Sequence, residues 1–346
     1  MTLSRDANNF DFIRIAAALC VIIGHSSDVL LNHSLRFDPA KWLTGYSMQS
    51  LGVIIFFIIS GFLITASFEH KKSWIQFIAG RILRIFPALI VVVLLSVFVL
   101  GALLTTIPIK EYLSSPVTGR YLQDITLYRM YYYLPGVFEN NPLAGSVNAS
   151  LWSLPYEFTC YIYIALTGLS AVVRNKCISL LLFIIYFVSY IFYETEINKI
   201  VIPIIGIDFK TFFIPFLYFL AGSLFFKFRN HMHYNLTGLL ICIVTGIVIR
   251  NSVVHQQFFI VVITYIILSL AFSEKLQFYK VAKYGDFSYG LYLYAFPVQQ
   301  LIVYLFPGTL NLLVMMLISI LATLPLAYFS WHVIEKPALL LKKYFR

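Results

Sequence analysis

Asp11-Phe-Ile-Arg14-Ile-Ala-Ala-Ala-Leu-Cys20-Val-Ile-Ile-Gly-His25 is an apolar run that carries an acid, a base and a histidine. It reads as a first membrane-spanning helix. Ionisable groups at membrane depth are costly, so they face protein or a water-filled cavity and mark function. Arg14 and His25 are eleven residues apart, three turns plus about 20° at the α-helical pitch, so they share a face about 16 Å apart along the axis. Asp11 stands three residues before Arg14 and can pair with it. A juxtamembrane arginine and a histidine satisfied inside a bundle would give the same pattern. The helix alone therefore leaves function open, and the rest of the chain has to decide it.

Of the 346 residues, 60% are hydrophobic and only 12% charged, whereas soluble domains carry about 25% charged residues. With a mean hydropathy of +0.85, the expected class is an all-α, polytopic integral membrane protein. Runs of spanning length, about 17–25 residues, fall at roughly 11–30, 46–68, 84–106, 151–173, 177–193, 211–227, 235–250, 257–273, 287–306 and 310–332. About ten transmembrane helices are expected, with both termini in the cytoplasm. That arrangement puts seventeen of the 25 Lys and Arg residues inside, Lys71 and Lys72 among them, as cytoplasmic enrichment requires. The same distribution accounts for the net charge of +10 without a nucleic-acid partner. Met1–Phe10 is polar and the first apolar run ends without a small-residue cleavage site, so no cleaved signal peptide is expected. Cys20, Cys160, Cys177 and Cys242 have neither paired nor metal-ligand spacing and read as packing residues.

The chain reads as one domain over 1–346, without repeats or an appended soluble part. Its longest non-spanning stretch, about 107–150, is expected on the outer side. Pro108, Pro116, Pro135 and Pro142 exclude a single long helix there. Tyr112, Tyr121, Tyr128, Tyr131, Tyr132 and Tyr133 suit an interfacial belt, or stacking on sugar rings.

Three further clusters carry chemistry. Arg81-Ile-Leu-Arg84-Ile-Phe-Pro87 places two guanidiniums on one helical face at the cytoplasmic mouth of the third span. They suit a phosphate-bearing ligand by bidentate contact, or plain anchoring to the inner surface. Ser150-Leu-Trp152-Ser153-Leu-Pro155-Tyr156-Glu157 enters the fourth span, and Glu157 lies inside the apolar run. A buried carboxylate needs a partner; a histidine such as His25 would make a general-base pair, and an arginine or backbone partner would only fix packing. Gly52–Leu63 carries Ser60-Gly61, which permits close helix approach. Late in the chain, Ser288-Tyr-Gly-Leu-Tyr292-Leu-Tyr294-Ala295-Phe-Pro297 surrounds a proline kink with hydroxyls, and His332-Val-Ile-Glu335-Lys336-Pro337 closes the last span. His231 and His233 read as surface residues. No P-loop, nucleophile elbow or metal-ligand spacing is present.

In this order, Asp11-x-x-Arg14 with His25, Phe56-Phe57-x-x-Ser60-Gly61-Phe62-Leu63, Arg81-x-x-Arg84-x-x-Pro87, Ser150-Leu-Trp152-Ser-Leu-Pro155-x-Glu157-x-x-x-Tyr161, Ser288-Tyr-Gly-x-Tyr292-Leu and Ile334-Glu335-x-Pro337 resemble the acyltransferase-3 family of integral-membrane acyltransferases, in particular its O-antigen and exopolysaccharide O-acetyltransferases. The resemblance implies a ten-helix core, acetyl-CoA as donor substrate with no permanently bound cofactor, and His25 as the essential catalytic residue. The expected reaction moves an acetyl group from cytoplasmic acetyl-CoA to a sugar hydroxyl of a lipid-linked or nascent polysaccharide at the bacterial inner membrane. In that reading His25 and Glu157 are catalytic and Arg14, Arg81 and Arg84 bind the donor. Trp152, Ser153 and Tyr292 face the sugar, and membrane lipid surrounds the chain. Many members have a histidine where this chain has Ala295, so no catalytic role falls there. Many also have a double acid where this chain has Glu157 alone, which concentrates any acidic role on it. The competing class is a polytopic carrier or flippase for lipid-linked sugars; a polymerase would need a larger outer loop.

Overall fold

A computed structural model describes residues 8–32, 38–69, 73–169, 175–191, 201–202, 207–232, 234–252, 255–273, 275–276, 278, 281, 283 and 285–345. Lys71, Lys72 and His233 lie outside them. The longer helices are α1 (Phe10–Leu31), α2 (Met48–Glu69), α3 (Trp74–Leu95), α4 (Leu154–Leu169) and α5 (Lys176–Ile191). They are followed by α6 (Phe209–Lys227), α7 (Leu236–Val248), α8 (His255–Ala271), α9 (Ser288–Leu305) and α10 (Leu312–Phe329). Val201–Ile202 and Ile207–Asp208 form a short antiparallel pair ahead of α6.

Each apolar run coincides with one helix. Among the described residues, four helices are long and apolar enough to cross a membrane: α1, α2, α3 with its continuation to Leu104, and α10 with its continuation to Phe345. The others are shorter, or carry polar side chains that are buried inside, as Gln299 and Gln300 are in α9. One boundary moves. The third helix begins at Trp74, not near residue 84, so Arg81 and Arg84 stand two turns or more inside it instead of at its mouth.

The chain packs into two compact units. The first collects the opening turns of α1, α2, the start of α3, most of α4, and α5–α8. Its centre is the crossing of α2 and α6. A Cβ on Gly61 would lie 2.0 Å from the Phe219 carbonyl oxygen, and one on Gly222 2.1 Å from that of Ile58. The two backbones therefore touch, which is the packing that Ser60-Gly61 suggested. Beside them Thr65 Oγ1 is 2.7 Å from both the Gly61 carbonyl and Ser223 Oγ. Phe10 packs on Phe62 and edge-on to Phe272, and the Asn9 amide donates to the Leu270 and Ser273 carbonyls, so the start of α1 is tied to the end of α8.

The second unit holds the rest of α1 and α3, residues 79–155, and 285–345. Val29, Phe296, Ile302, Val303 and Met315 form a buried core from α1, α9 and α10. After α3 the helix widens into a π-turn over Ser96–Gly101. Tyr112 donates its hydroxyl to the Val97 carbonyl at 2.9 Å, and only a glycine at 101 leaves room, because a Cβ there would sit 2.0 Å from that hydroxyl. The proline-punctuated stretch forms short helices at Ile109–Ser114 and Pro116–Leu122, the second with Ser115 capping Val117 N–H at 3.2 Å. Its tyrosines divide. Tyr112 and Tyr121 are fully buried, while Tyr128 and Tyr133 are exposed, so only part of the set is available to an interface.

Candidate functional site

α1 holds His25 in the second unit, within an unusually well-bonded stretch of backbone. Ser26 donates to the Ile22 carbonyl at 2.8 Å and Ser27 to that of Gly24 at 2.7 Å. From α9, the fully buried Gln299 donates to the Ile22 carbonyl at 2.7 Å and to Ser26 Oγ at 2.8 Å. These bonds fix the rotation of α1 at the histidine. Two side chains stand against the imidazole. The Phe296 ring meets it edge-on at 5.2 Å. Asp28, one turn on, places Oδ2 3.5 Å from Nδ1, with the two side chains 11% and 12% exposed. Nδ1 is buried and makes no hydrogen bond at that separation. Neither Asp28 nor Gln299 was singled out from sequence. The signal for Asp28 is an acid three residues after the histidine; for Gln299 there is none before the fold is known.

Arg84 lies deep in the same unit. Its Nη2 is 2.6 Å from Asp286 Oδ2 and its Nη1 3.3 Å from Glu335 Oε2, and both acids are buried. Ser288 donates to Asp286 Oδ1 at 2.6 Å, and Ser330 to Glu335 Oε1 at 2.9 Å. The guanidinium also stands over the Tyr289 and Trp331 rings. Gly285, at φ +124°, admits Trp331, whose Nε1 would be 2.3 Å from a Cβ at that position. Glu335 is thus a buried partner of Arg84. With both forks of Arg84 turned to carboxylates, the cluster pins residue 286, ahead of α9, and the end of α10 to α3. Arg81 is half-buried on the same helix.

Tyr292 donates to the Ser150 carbonyl, which leaves its oxygen to accept from Ser153 Oγ at 2.7 Å. Ser150, Ser153 and Tyr292 are buried, so Ser153 and Tyr292 are engaged with each other. Asn148 donates to the Leu293 carbonyl at 2.9 Å, and Trp152 is half-buried on the turn of 3-10 helix at Ala149–Ser153.

The first unit holds Arg14, half-buried on α1, and Glu157 on α4. Glu157 accepts from Ser60 Oγ at 3.3 Å and from the Tyr161 hydroxyl. Both of these partners of Glu157 belong to its own unit. Away from the spanning helices, burial pushes the Asp124 carboxyl up to about 8, opposed by a hydrogen bond from Tyr131 N–H. Burial likewise raises the Tyr112 hydroxyl to about 12.

An apolar helical chain with a histidine seated inside its first helix and arginines held deep in its third has the makeup of an integral-membrane group-transfer enzyme. The acyltransferase domain of the acyltransferase-3 family matches residues 8–332. The chain belongs to that family and is an acyltransferase of the O-acetyltransferase type, which displaces the carrier alternative. It is 30% identical over 344 residues to an O-acetyl transferase of Shigella phage Sf6, covering 95% of each chain. It is 28% identical over 359 residues to Nodulation protein 10 of Rhizobium leguminosarum bv. viciae, covering 97% of this chain and 94% of that one. No solved structure matches it.

Proposed function

We propose that the protein moves an acetyl group from cytoplasmic acetyl-CoA to a sugar hydroxyl of a lipid-linked or nascent cell-surface polysaccharide at the bacterial inner membrane. The observation that carries this reading is His25, a histidine enclosed in an apolar helix whose backbone is locked around it. A thioester is already activated, so a positioned base suffices. His25 Nε2 takes the proton of the acceptor hydroxyl, and the oxygen attacks the thioester carbonyl. The C–S bond breaks, and the departing CoA thiolate takes the proton from the imidazolium. Arg81 supplies positive charge for the CoA phosphates. Arg84 supports it by holding α3 in place, since its own charge already faces Asp286 and Glu335. Trp152 is the aromatic face offered to the sugar, with Ser153 and Tyr292 shaping the turn that presents it. Arg14 and Glu157 keep the donor-binding and charge-stabilising roles that the sequence reading gave them. Ten spans with both termini in the cytoplasm complete the proposal.

The test is mass spectrometry of the surface glycan from cells expressing the full chain or its His25→Ala form. The parent adds the mass of an acetyl group and the variant, present at equal level in the membrane, adds none. Acetylation that survives in the variant would remove His25 from the mechanism. A parent that consumes acetyl-CoA yet leaves the glycan unchanged would overturn the acceptor class.

A further inference from the structure

We infer that Asp28 is the positioning residue of His25: it holds the imidazole with the proton on Nδ1, so that Nε2 is the nitrogen free to act as base. This rests on the reading of His25 as the base of the transfer. Asp28 Oδ2 and His25 Nδ1 are 3.5 Å apart on successive turns of one helix, both nearly enclosed. Catalytic hydrogen bonds are often long before substrate arrives and tighten in the complex, and a small rotation of the aspartate closes this one. Nδ1 is a buried nitrogen, and the Phe296 ring packs perpendicular to the imidazole with centroids 5.2 Å apart. The bonds from Ser26, Ser27 and Gln299 keep the two residues in register. Which ring nitrogen carries the proton is set by what the other one meets. An ionised aspartate at Nδ1 also stabilises the imidazolium that forms while the proton is in transit from the acceptor hydroxyl to the thiolate.

The experiment uses membrane vesicles that carry the full chain and the host's own surface polysaccharide, with acetyl-labelled acetyl-CoA as probe and label in the polysaccharide as readout. Asp28→Asn keeps the volume but loses the charge and reverses the tautomer preference. The expected result is a fall of about 10²-fold or more in kcat with little change in KM for acetyl-CoA. Asp28→Glu restores part of the rate, and it serves as the second variant should Asp28→Asn fail to accumulate. His25→Ala separates the two claims. Its loss of activity together with unchanged kcat in Asp28→Asn would overturn the role of Asp28 and leave His25 standing. Activity retained in His25→Ala would overturn the reading on which it rests.

Discussion

Arg84 stands between two buried carboxylates, and a guanidinium so placed cannot be removed cheaply. Arg84→Met leaves Asp286 and Glu335 facing each other without a counter-charge. Breaking a buried pair from one side costs about 3–5 kcal/mol, so the variant is expected to unfold well below the parent in detergent, while Arg81→Met loses donor affinity with a near-parental melting temperature. Asp124 gives a pH signature. Its carboxyl moves from an ordinary 3.8 to about 8 on folding. Between those values the folded chain holds a proton that the unfolded chain has released. That stabilisation is therefore complete below about pH 4 and lost as the pH rises through about 8. Asp124→Asn, which still accepts from Tyr131 N–H, should flatten the fall of melting temperature with pH and melt above the parent at about pH 8. Residues were legible in sequence when their chemistry was local. His25 stood out because an ionisable group in an apolar run has a cost. Asp28, 3.5 Å from it and one turn on, is local in sequence as well, yet an acid at a helix end draws no notice. The Arg84 cluster was not legible, because Asp286 and Glu335 are about 200 and 250 residues away in the chain and only packing brings them in.

At the scale of elements, hydrophobic runs located the helices because burial and lipid both select continuous apolar surface. The start of α3 was misplaced for the complementary reason. Arg81 and Arg84 interrupt the apolar run, whereas Trp74–Gly80, apolar but for Gln76, continues the helix ahead of them and buries Phe77 and Ala79. The tyrosine-rich stretch was legible as non-spanning from its prolines, but not in which rings it buries, since a tyrosine serves a core and a surface equally well. The α2–α6 crossing is sensitive to a single methyl group. Ala at 222 would drive a Cβ against the Ile58 carbonyl, a backbone atom that cannot rotate away. A loss of about 1–3 kcal/mol follows from overpacking, read as a lower melting temperature for Gly222→Ala. Gly246→Ala is the control. It sits within α7, its nearest contact is Val262 Cγ1 at an ordinary 3.6 Å, and alanine's better helix propensity predicts a neutral or stabilising change of up to about 1 kcal/mol.

For the whole molecule, the proposed reaction turns on which face of the membrane each end of a helix meets, because its proposed donor, acetyl-CoA, is made inside the cell and its proposed acceptor is displayed outside. The charge distribution argues for cytoplasmic termini: the inner side then gathers seventeen of 25 basic residues, and translocating lysine and arginine in short loops is disfavoured. Two single-cysteine probes test it after Cys20, Cys160, Cys177 and Cys242 are replaced by alanine. Gly119→Cys lies in the tyrosine-rich stretch, where a Cβ meets nothing within 4 Å. Tyr344→Cys lies in the exposed basic tail and removes no charge. A membrane-impermeant maleimide should label the first in intact cells and the second only after permeabilisation. The reverse pattern would put the arginines of α3 on the side without acetyl-CoA. Equal labelling of both in intact cells would place the tail outside with the tyrosine-rich stretch, which requires one helix fewer or one more between them. Opposite labelling, with the acetyl group found on the external glycan, leaves one arrangement in which both substrates reach His25: donor from the cytoplasmic end of α1, and sugar from the other.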